Sequence, residues 1–238
     1  MAFERGPVIQ RAGTAARADI DEGLRAFMLK IYNYMSLALG VTGAVAMFTA
    51  SSDTMMQAIF GTPLAYVVMF SPLAFILVLS FGINKLSTGA VQAIFWAFAA
   101  TMGLSMASIF MVYTDTSIAK VFFITASVFA AMSLYGYTTK RSLAAMGAFM
   151  FMGLIGIVIA MVVNLFMQSS GLEFAISILG VLIFTGLTAW DTQKLKMIYI
   201  QSDGTAVTEK TAIYGALTLY LDFINLFYFL LMLLGNRD

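Results

Sequence analysis

Two aspartates in this sequence are surrounded by long runs of apolar residues. Asp191 stands in LTAWDTQKLK, residues 187–196, and Asp222 in ALTLYLDFINLF, residues 216–227. A carboxylate near the centre of a membrane-spanning helix costs about 2.5–3.5 kcal/mol on insertion scales, so it is expected to face protein or water and to have a partner. Two carboxylates at hydrogen-bonding distance cannot both ionise cheaply, and they would share one proton and lose it as pH rises. Such a pair would be a proton switch and, when fully ionised, an oxygen site for a divalent cation such as calcium.

Polar residues recur at helical spacing around each aspartate. One stripe contains Asp222 and the other contains Asp191, and their spacing of three or four residues keeps the side chains on one face of a helix. The other members of the stripes are Tyr214, Thr218 and Asn225 around Asp222, and Thr185 and Thr188 around Asp191. If the stripes face each other, these residues would line a polar path beside the aspartates. The alternative is a buried polar pair that only fixes the register of the helices.

The sequence contains no histidine and no cysteine. Their absence excludes disulfides, structural zinc sites of the usual kinds, His-ligated haem and every Ser-His or Cys-His catalytic arrangement. A response to pH near neutrality would therefore have to come from a carboxylate or an amine. No basic face is interleaved with aromatic residues, so nucleic acid is not an expected partner. We expect no bound cofactor.

Composition and hydropathy predict an all-α, polytopic membrane protein. Of the 238 residues, 61% are hydrophobic and 11% are charged, whereas about 25% are charged in an ordinary soluble domain. The apolar residues form blocks of about 20, the length of helix that crosses a hydrocarbon core about 30 Å thick. Residues 1–26 are predicted to be a cytoplasmic tail and residues 27–238 a domain of seven transmembrane helices. The predicted spans are residues 31–50, 64–83, 90–113, 117–139, 144–167, 172–195 and 211–234, with one long loop at 194–210.

The basic residues predict how these helices are oriented. With the N-terminus in the cytoplasm, eleven of the 13 lysines and arginines fall on the cytoplasmic side, and only Lys120 and Arg237 fall outside. This asymmetry agrees with the positive-inside rule and favours seven spans with the C-terminus outside. A last segment that re-enters the membrane without crossing it would keep most of this distribution and place the C-terminus inside.

The two aspartates differ in predicted depth. Asp222 lies near the middle of the seventh predicted span, whereas Asp191 is only three residues from Lys194 and close to the end of the sixth. We expect them to meet only if the sixth helix extends beyond Asp191, or if the seventh begins nearer Tyr214 than Lys210.

Three motifs, in order, give the sequence a family resemblance. MSLYGYTTKR at residues 132–141, LTAWDTQKLK and ALTLYLDFINLF together resemble the transmembrane Bax inhibitor motif family, in its bacterial inner-membrane branch, over residues 25–236. The resemblance implies a seven-helix bundle with the last helix at its centre, acting as a pH-sensitive calcium leak channel of the cytoplasmic membrane. It also implies that Asp191 and Asp222 form a dyad whose protonation gates the path, with calcium as the permeant ion.

The resemblance also bears on the second predicted span. In the family a basic residue late in this helix is thought to hold the dyad in the closed state, and Lys85 in FGINKLSTG stands where a relative has arginine. Lysine makes a point contact rather than the bidentate contact of arginine, so such a latch is expected to be weaker. Some relatives carry an acid within the second helix, whereas this chain has none between Asp53 and Asp115.

Three other functions were weighed against a channel. An intramembrane aspartyl protease also uses two aspartates, but places one after tyrosine and the other in a Gly-x-Gly-Asp setting, whereas the contexts here are TAWD and LYLD. A retinal photoreceptor forms a Schiff base with a lysine of its seventh helix, and none lies within this seventh span. We therefore do not expect an enzyme. The alternative that stays open is a non-conducting modulator that binds a membrane protease or a stress-response partner, and it should tolerate asparagine at both aspartates.

Overall fold

The computed structural model describes residues 7–82, 85–201 and 208–236, with side chains described from residue 21 onwards. These residues form eight α-helices and one 3₁₀ segment, and no strand is found among them. The α-helices are α1 (Pro7–Ala50), α2 (Asp53–Phe60), α3 (Leu64–Gly82), α4 (Thr88–Met106), α5 (Asp115–Thr138), α6 (Ala144–Met167), α7 (Ser170–Gln201) and α8 (Glu209–Leu234), and the 3₁₀ segment Ala107–Met111 follows α4. Seven helical segments are long and apolar enough to cross a membrane, which confirms the predicted all-α polytopic fold.

The first membrane helix extends beyond the apolar block that predicted it. α1 begins at Pro7 and passes both the predicted tail boundary at residue 26 and the predicted start of the span at residue 31 without a break. Leu24, inside the predicted tail, is buried in the core. Residues 1–6 of that tail, and Ile83 at the predicted end of the second span, lie outside the described residues. Hydropathy marks which residues are apolar, whereas a helix continues for as long as its backbone hydrogen bonds do.

The polar break predicted after the first span contains a short helix, α2. Ser52 caps this helix, because its side chain accepts a hydrogen bond of 3.4 Å from the Met55 N–H. Asp53 lies in the first turn, where a negative charge interacts favourably with the helix dipole. The residues that end one apolar block therefore also start a new helix.

The prediction of a long loop at residues 194–210 is wrong for most of its length. α7 continues to Gln201 and α8 begins at Glu209, and residues 202–207 between them lie outside the described part of the chain. The sixth membrane helix therefore extends ten residues past Asp191, which is about 15 Å of helix. Asp191 therefore lies well inside a helix, which is the condition expected for it to meet Asp222.

α8 occupies the centre of the bundle, as the resemblance implies. It packs against α1, α4, α5 and α7, and a larger share of it is buried than of any other described span. Tyr220 at its middle is fully buried, and its hydroxyl lies 2.7 Å from Thr42 Oγ1. Because Thr42 donates its own proton to the Ala99 carbonyl at 2.8 Å, Tyr220 is the donor of the first bond. These hydrogen bonds join α8 to α1 and α4.

α8 also crosses the whole bundle. At its first residue, Glu209 forms an ion pair with Lys30 and accepts a hydrogen bond of 2.6 Å from the Tyr34 hydroxyl. Beyond its last residue, the Asn236 carbonyl accepts a hydrogen bond of 3.2 Å from the Thr114 N–H. A helix of 26 residues separates these contacts, and such a helix is about 39 Å long. This continuous helix is long enough to cross a membrane, as expected for a seventh span, while the side that faces the cytoplasm stays a prediction.

Candidate functional site

Asp191 and Asp222 meet on the seam between α7 and α8, the most extensive helix contact of the bundle. Phe184 of α7 stacks on Phe229 of α8, with ring centroids 5.7 Å apart. Asp191 lies two helical turns after Phe184, and Asp222 two turns before Phe229, so these faces of two antiparallel helices bring the carboxylates together. Their carboxyl groups interact electrostatically. The structure therefore places the two aspartates that the sequence singles out on one seam, and no hydrogen bond between them is found among the described residues.

The aspartate pair is buried and has one cationic neighbour. Asp191 is 7% exposed and Asp222 is 5% exposed. Lys194 Nζ lies 3.9 Å from Asp191 Oδ1, and the Lys194 side chain is 52% exposed, so it joins the pair to the protein surface. Asp222 Oδ2, in contrast, is buried without a hydrogen-bond partner among the described residues. Asp222 is therefore the less compensated of the two buried carboxyl groups.

Apolar side chains close the seam on both sides of the pair. On one side lies the stack of Phe184 on Phe229. On the other side, Gly215 of α8 is so close to Ile31 and Leu195 that a β-carbon added there would be 2.9 Å from each of them. The carboxylates lie between these two layers, and the seam is closed in this structure.

Two glycines of neighbouring helices hold the part of α7 that carries Asp191. Gly136 of α5 approaches the α7 backbone, and an added β-carbon would be 2.1 Å from the Ala189 carbonyl oxygen. Gly147 of α6 lies against the Trp190 indole, and an added β-carbon would again be 2.1 Å away. Both distances are below the 3.0 Å that real β-carbons essentially never show, so both contacts require glycine. The two residues before Asp191 are thus fixed from two sides.

Polar bonds join the same part of α7 to the end of α5 and to the segment that follows it. The Lys196 ammonium donates a hydrogen bond of 2.7 Å to the Tyr137 carbonyl. The Gln193 side chain donates to the Arg141 carbonyl and accepts from the Leu143 N–H, both at 2.8 Å. The two motifs MSLYGYTTKR and LTAWDTQKLK therefore contact each other directly. Sequence reasoning used both motifs but missed this pairing, because spacing within a helix does not reveal which helix lies opposite.

Sequence comparison identifies the family of this bundle. The family described as "Inhibitor of apoptosis-promoting Bax1" matches residues 24–238. The chain belongs to this Bax inhibitor family. It is 48% identical over 224 residues to uncharacterized protein RP147 of Rickettsia prowazekii, covering 94% of this chain and 95% of that protein. It is 47% identical over 218 residues to inner membrane protein YbhL of Escherichia coli K12, covering 90% of this chain and 93% of YbhL. An uncharacterized protein of Caulobacter vibrioides is 43% identical over 249 aligned positions that cover 99% of both chains.

In this Bax inhibitor family protein, the other polar residues predicted beside the two aspartates form hydrogen bonds mainly within their own helices. The side chains of Thr188, Thr218 and Asn225 each donate to the carbonyl four residues earlier, at 2.7, 3.0 and 2.8 Å. Thr188 is fully buried, and Thr185 is half-buried. Tyr214 is 41% exposed and departs from the expected stripe. A recurrence of four residues drifts about 40° per step around a helix, so Tyr214 lies about 80° away from Asp222.

Lys85, which the family resemblance implies as a latch, is not brought to the pair in this structure. It is exposed just beyond the end of α3, and α3 packs mainly against α4 and α2 rather than against α7 or α8. The cation nearest to the dyad is Lys194. Sequence reasoning treated Lys194 only as a marker of membrane depth, although its spacing of three residues from Asp191 allows contact along one helix face.

Proposed function

We propose that this Bax inhibitor family protein is a pH-sensitive calcium leak channel of the bacterial cytoplasmic membrane, gated by protonation of Asp191 and Asp222. The observation that carries the proposal is the buried carboxylate pair, in which Asp222 Oδ2 has no hydrogen-bond partner among the described residues. An uncompensated carboxylate inside a membrane bundle is costly, and such residues commonly serve proton or ion pathways. The proposed membrane follows the name of the relative YbhL, an inner membrane protein.

In the proposed mechanism, the charge of the pair sets the separation of α7 and α8. A proton on the pair removes the repulsion between the carboxylates, and loss of that proton places two negative charges across the seam. The described residues contain no cluster of three or more acidic side chains that could hold a metal ion. Ca²⁺ takes 6–8 oxygen ligands, so two carboxylates would hold it only together with water or backbone carbonyls. A weak, transient site of this kind is better suited to the permeation of calcium than to its tight binding.

Calcium flux into proteoliposomes at several pH values tests the proposal. We expect the wild-type protein to give a flux that depends on pH, and Asp191→Asn and Asp222→Asn each to remove most of that dependence, because the proton switch requires both carboxylates. Exposed Asp53 offers a matched control, and Asp53→Asn should keep the wild-type profile. An unchanged pH profile in both dyad variants would eliminate the proposed sensor.

The cation that acts on the pair can be identified by comparing two lysines. A nearby positive charge favours the ionised carboxylate, so Lys194→Met is expected to displace the pH midpoint of the flux to higher pH. Lys85→Met is expected to leave the midpoint in place, because Lys85 is distant from the seam in this structure. The reverse result would support the latch that the family resemblance implies and would contradict a role for Lys194.

A second candidate function is a non-conducting modulator that binds a membrane protease or a stress-response partner. It is favoured by the closed seam and by the polar side chains beside it, which bond to their own helices. This function predicts that calcium entry with the wild-type protein equals entry into protein-free vesicles at every pH. It also predicts that asparagine at both aspartates leaves partner binding intact.

A further inference from the structure

A long groove runs along the outside of the bundle between α1 and α5. Its volume is about 1610 Å³, and it extends from Arg25 on α1 to Ser51 directly after α1, and from Asp115 to Tyr137 on α5. These stretches correspond to about 39 and 33 Å of helix. The groove is therefore as long as a hydrocarbon core, about 30 Å, is thick.

The walls of the groove are apolar and contain many small residues. Gly40 and Gly43 lie on the α1 side, and Ala126 and Ala130 on the α5 side. A β-carbon added at Gly40 or Gly43 would meet no atom within 4 Å, so this part of α1 borders open space rather than a packed neighbour. An apolar occupant of the membrane therefore has room beside Gly40 and Gly43 on α1.

Charged residues occur at the two ends of the groove. Arg25 lines the end that the distribution of basic residues places in the cytoplasm, and Asp115 lines the opposite end. Arg25 is exposed and has no ion-pair partner among the described side chains, although Asp21 and Glu22 lie one turn earlier on the same helix. Lys196 adds a second cation near this end, because its ammonium lies 5.2 Å from the ring of Tyr137.

These charges decide between two classes of occupant. A membrane-spanning helix of a partner usually carries basic residues at its cytoplasmic end, and Arg25 would repel them. An anionic phospholipid presents a phosphate at the same level, and basic pockets between membrane helices on the cytoplasmic side are suited to such headgroups. We propose that this groove binds an anionic phospholipid of the cytoplasmic leaflet, with its phosphate at Arg25 and its acyl chains between α1 and α5.

The bound lipid would contact the helix that carries one aspartate of the dyad. Phe223, Ile224 and Phe227 of α8 form the floor of the groove, and Phe223 directly follows Asp222. The lipid site does not depend on calcium conduction, since a modulator without channel activity would have the same groove. With either function, this lipid site would make the protein depend on the lipid composition of the membrane.

Thermal unfolding of the purified full-length protein tests this proposal. The fluorescence of its two tryptophans can be followed in a neutral detergent while phosphatidylglycerol, or phosphatidylcholine with the same acyl chains, is added. We expect phosphatidylglycerol to raise the unfolding temperature at lower concentrations than phosphatidylcholine. Arg25→Gln should weaken the effect of phosphatidylglycerol about fivefold, since one basic residue near a lipid surface contributes about 1 kcal/mol. Gly40→Leu, which fills the groove, should weaken the effect of both lipids.

Two variants outside the groove serve as controls. Lys120→Gln removes an exposed cation of α5, and Gly156→Leu fills open space beside α6. Neither residue lines the groove, and both variants should respond to lipid as the wild type does. Equal stabilisation by the two lipids, or an unchanged response of Arg25→Gln, would overturn the proposal. Equal stabilisation by glycerol phosphate would also overturn it, because it would indicate an anion site without an acyl-chain site.

Discussion

The double variant Asp191→Asn/Asp222→Asn is expected to give a calcium flux that does not change between pH 5.5 and 8, and to behave like the more affected single variant. The reason is the geometry of the seam: both carboxylates are buried, they interact electrostatically, and one cation, Lys194, lies beside them. Residues that act as one unit lose their common effect when either is removed, so their changes do not add. The measurement is the flux–pH profile of the wild type, both single variants and the double variant in proteoliposomes of one composition.

Each outcome of this experiment has a defined meaning. If the effects of the two single variants add, the aspartates titrate independently and the shared proton is ruled out. If the double variant keeps a wild-type profile, the sensor lies elsewhere in the chain. Unfolding temperatures of the four proteins separate gating from folding, because replacing a desolvated charge can stabilise a protein as readily as destabilise it.

Gly136→Leu is expected to destabilise the protein severely, by about 3 kcal/mol or more. The β-carbon of the new leucine would be 2.1 Å from the Ala189 carbonyl oxygen. The clash is therefore between an atom bonded directly to the α5 backbone and a backbone atom of α7. α5 and α7 would have to separate, and insertion of bulk into a packed contact typically costs about 1–3 kcal/mol and occasionally more. Thermal unfolding in detergent and the amount of folded protein in membranes measure the effect.

Gly156→Leu is the matched control for this second prediction. Gly156 also lies within a membrane helix, but a β-carbon there would meet no atom within 4 Å. The leucine should therefore be accommodated, and its higher helix propensity is favourable. Similar unfolding temperatures for Gly136→Leu and Gly156→Leu would show that the close approach of α5 to α7 does not support the fold.

Much of the fold could be predicted from hydropathy, but the helix ends could not. Apolar blocks of about 20 residues locate membrane helices because the bilayer selects for them. They do not mark where a helix stops, and α7 continues through TQKLKMIYIQ to Gln201 because polar residues can maintain a helix outside the hydrocarbon core. Similarly, α2 forms within the polar break between the first two predicted spans, since Ser52 provides a cap. The buried Leu24 shows the same effect within α1, ahead of the first apolar block.

The two aspartates of the candidate site could be predicted from the sequence, but the residues that surround them could not. The cost of burying Asp191 and Asp222 identified both of them, because few apolar helices carry such residues without a reason. Helical spacing placed the polar residues around each aspartate on one face of a helix, but it could not show that Gly136 and Gly147 hold α7 in place. Helical spacing also could not show that Lys194, rather than Lys85, lies beside the aspartates, since this depends on which helices are neighbours.

Polar contacts anchor α8 to one side of the bundle. Tyr220 and Glu209 tie α8 to α1 and α4 through hydrogen bonds, and Glu209 adds an ion pair. α7 is joined to α5 and α6 through close glycine contacts, and it is also joined to α8, where Gly180 lies against Phe229 and Gly215 against Leu195. α5 meets α8 through aromatic edges, such as Phe129 against Phe223, which can slide more easily than interlocked backbones. A widening at the aspartates would also have to part Phe184 from Phe229 and Leu195 from Gly215, so α7 and α8 cannot separate at the carboxylates alone.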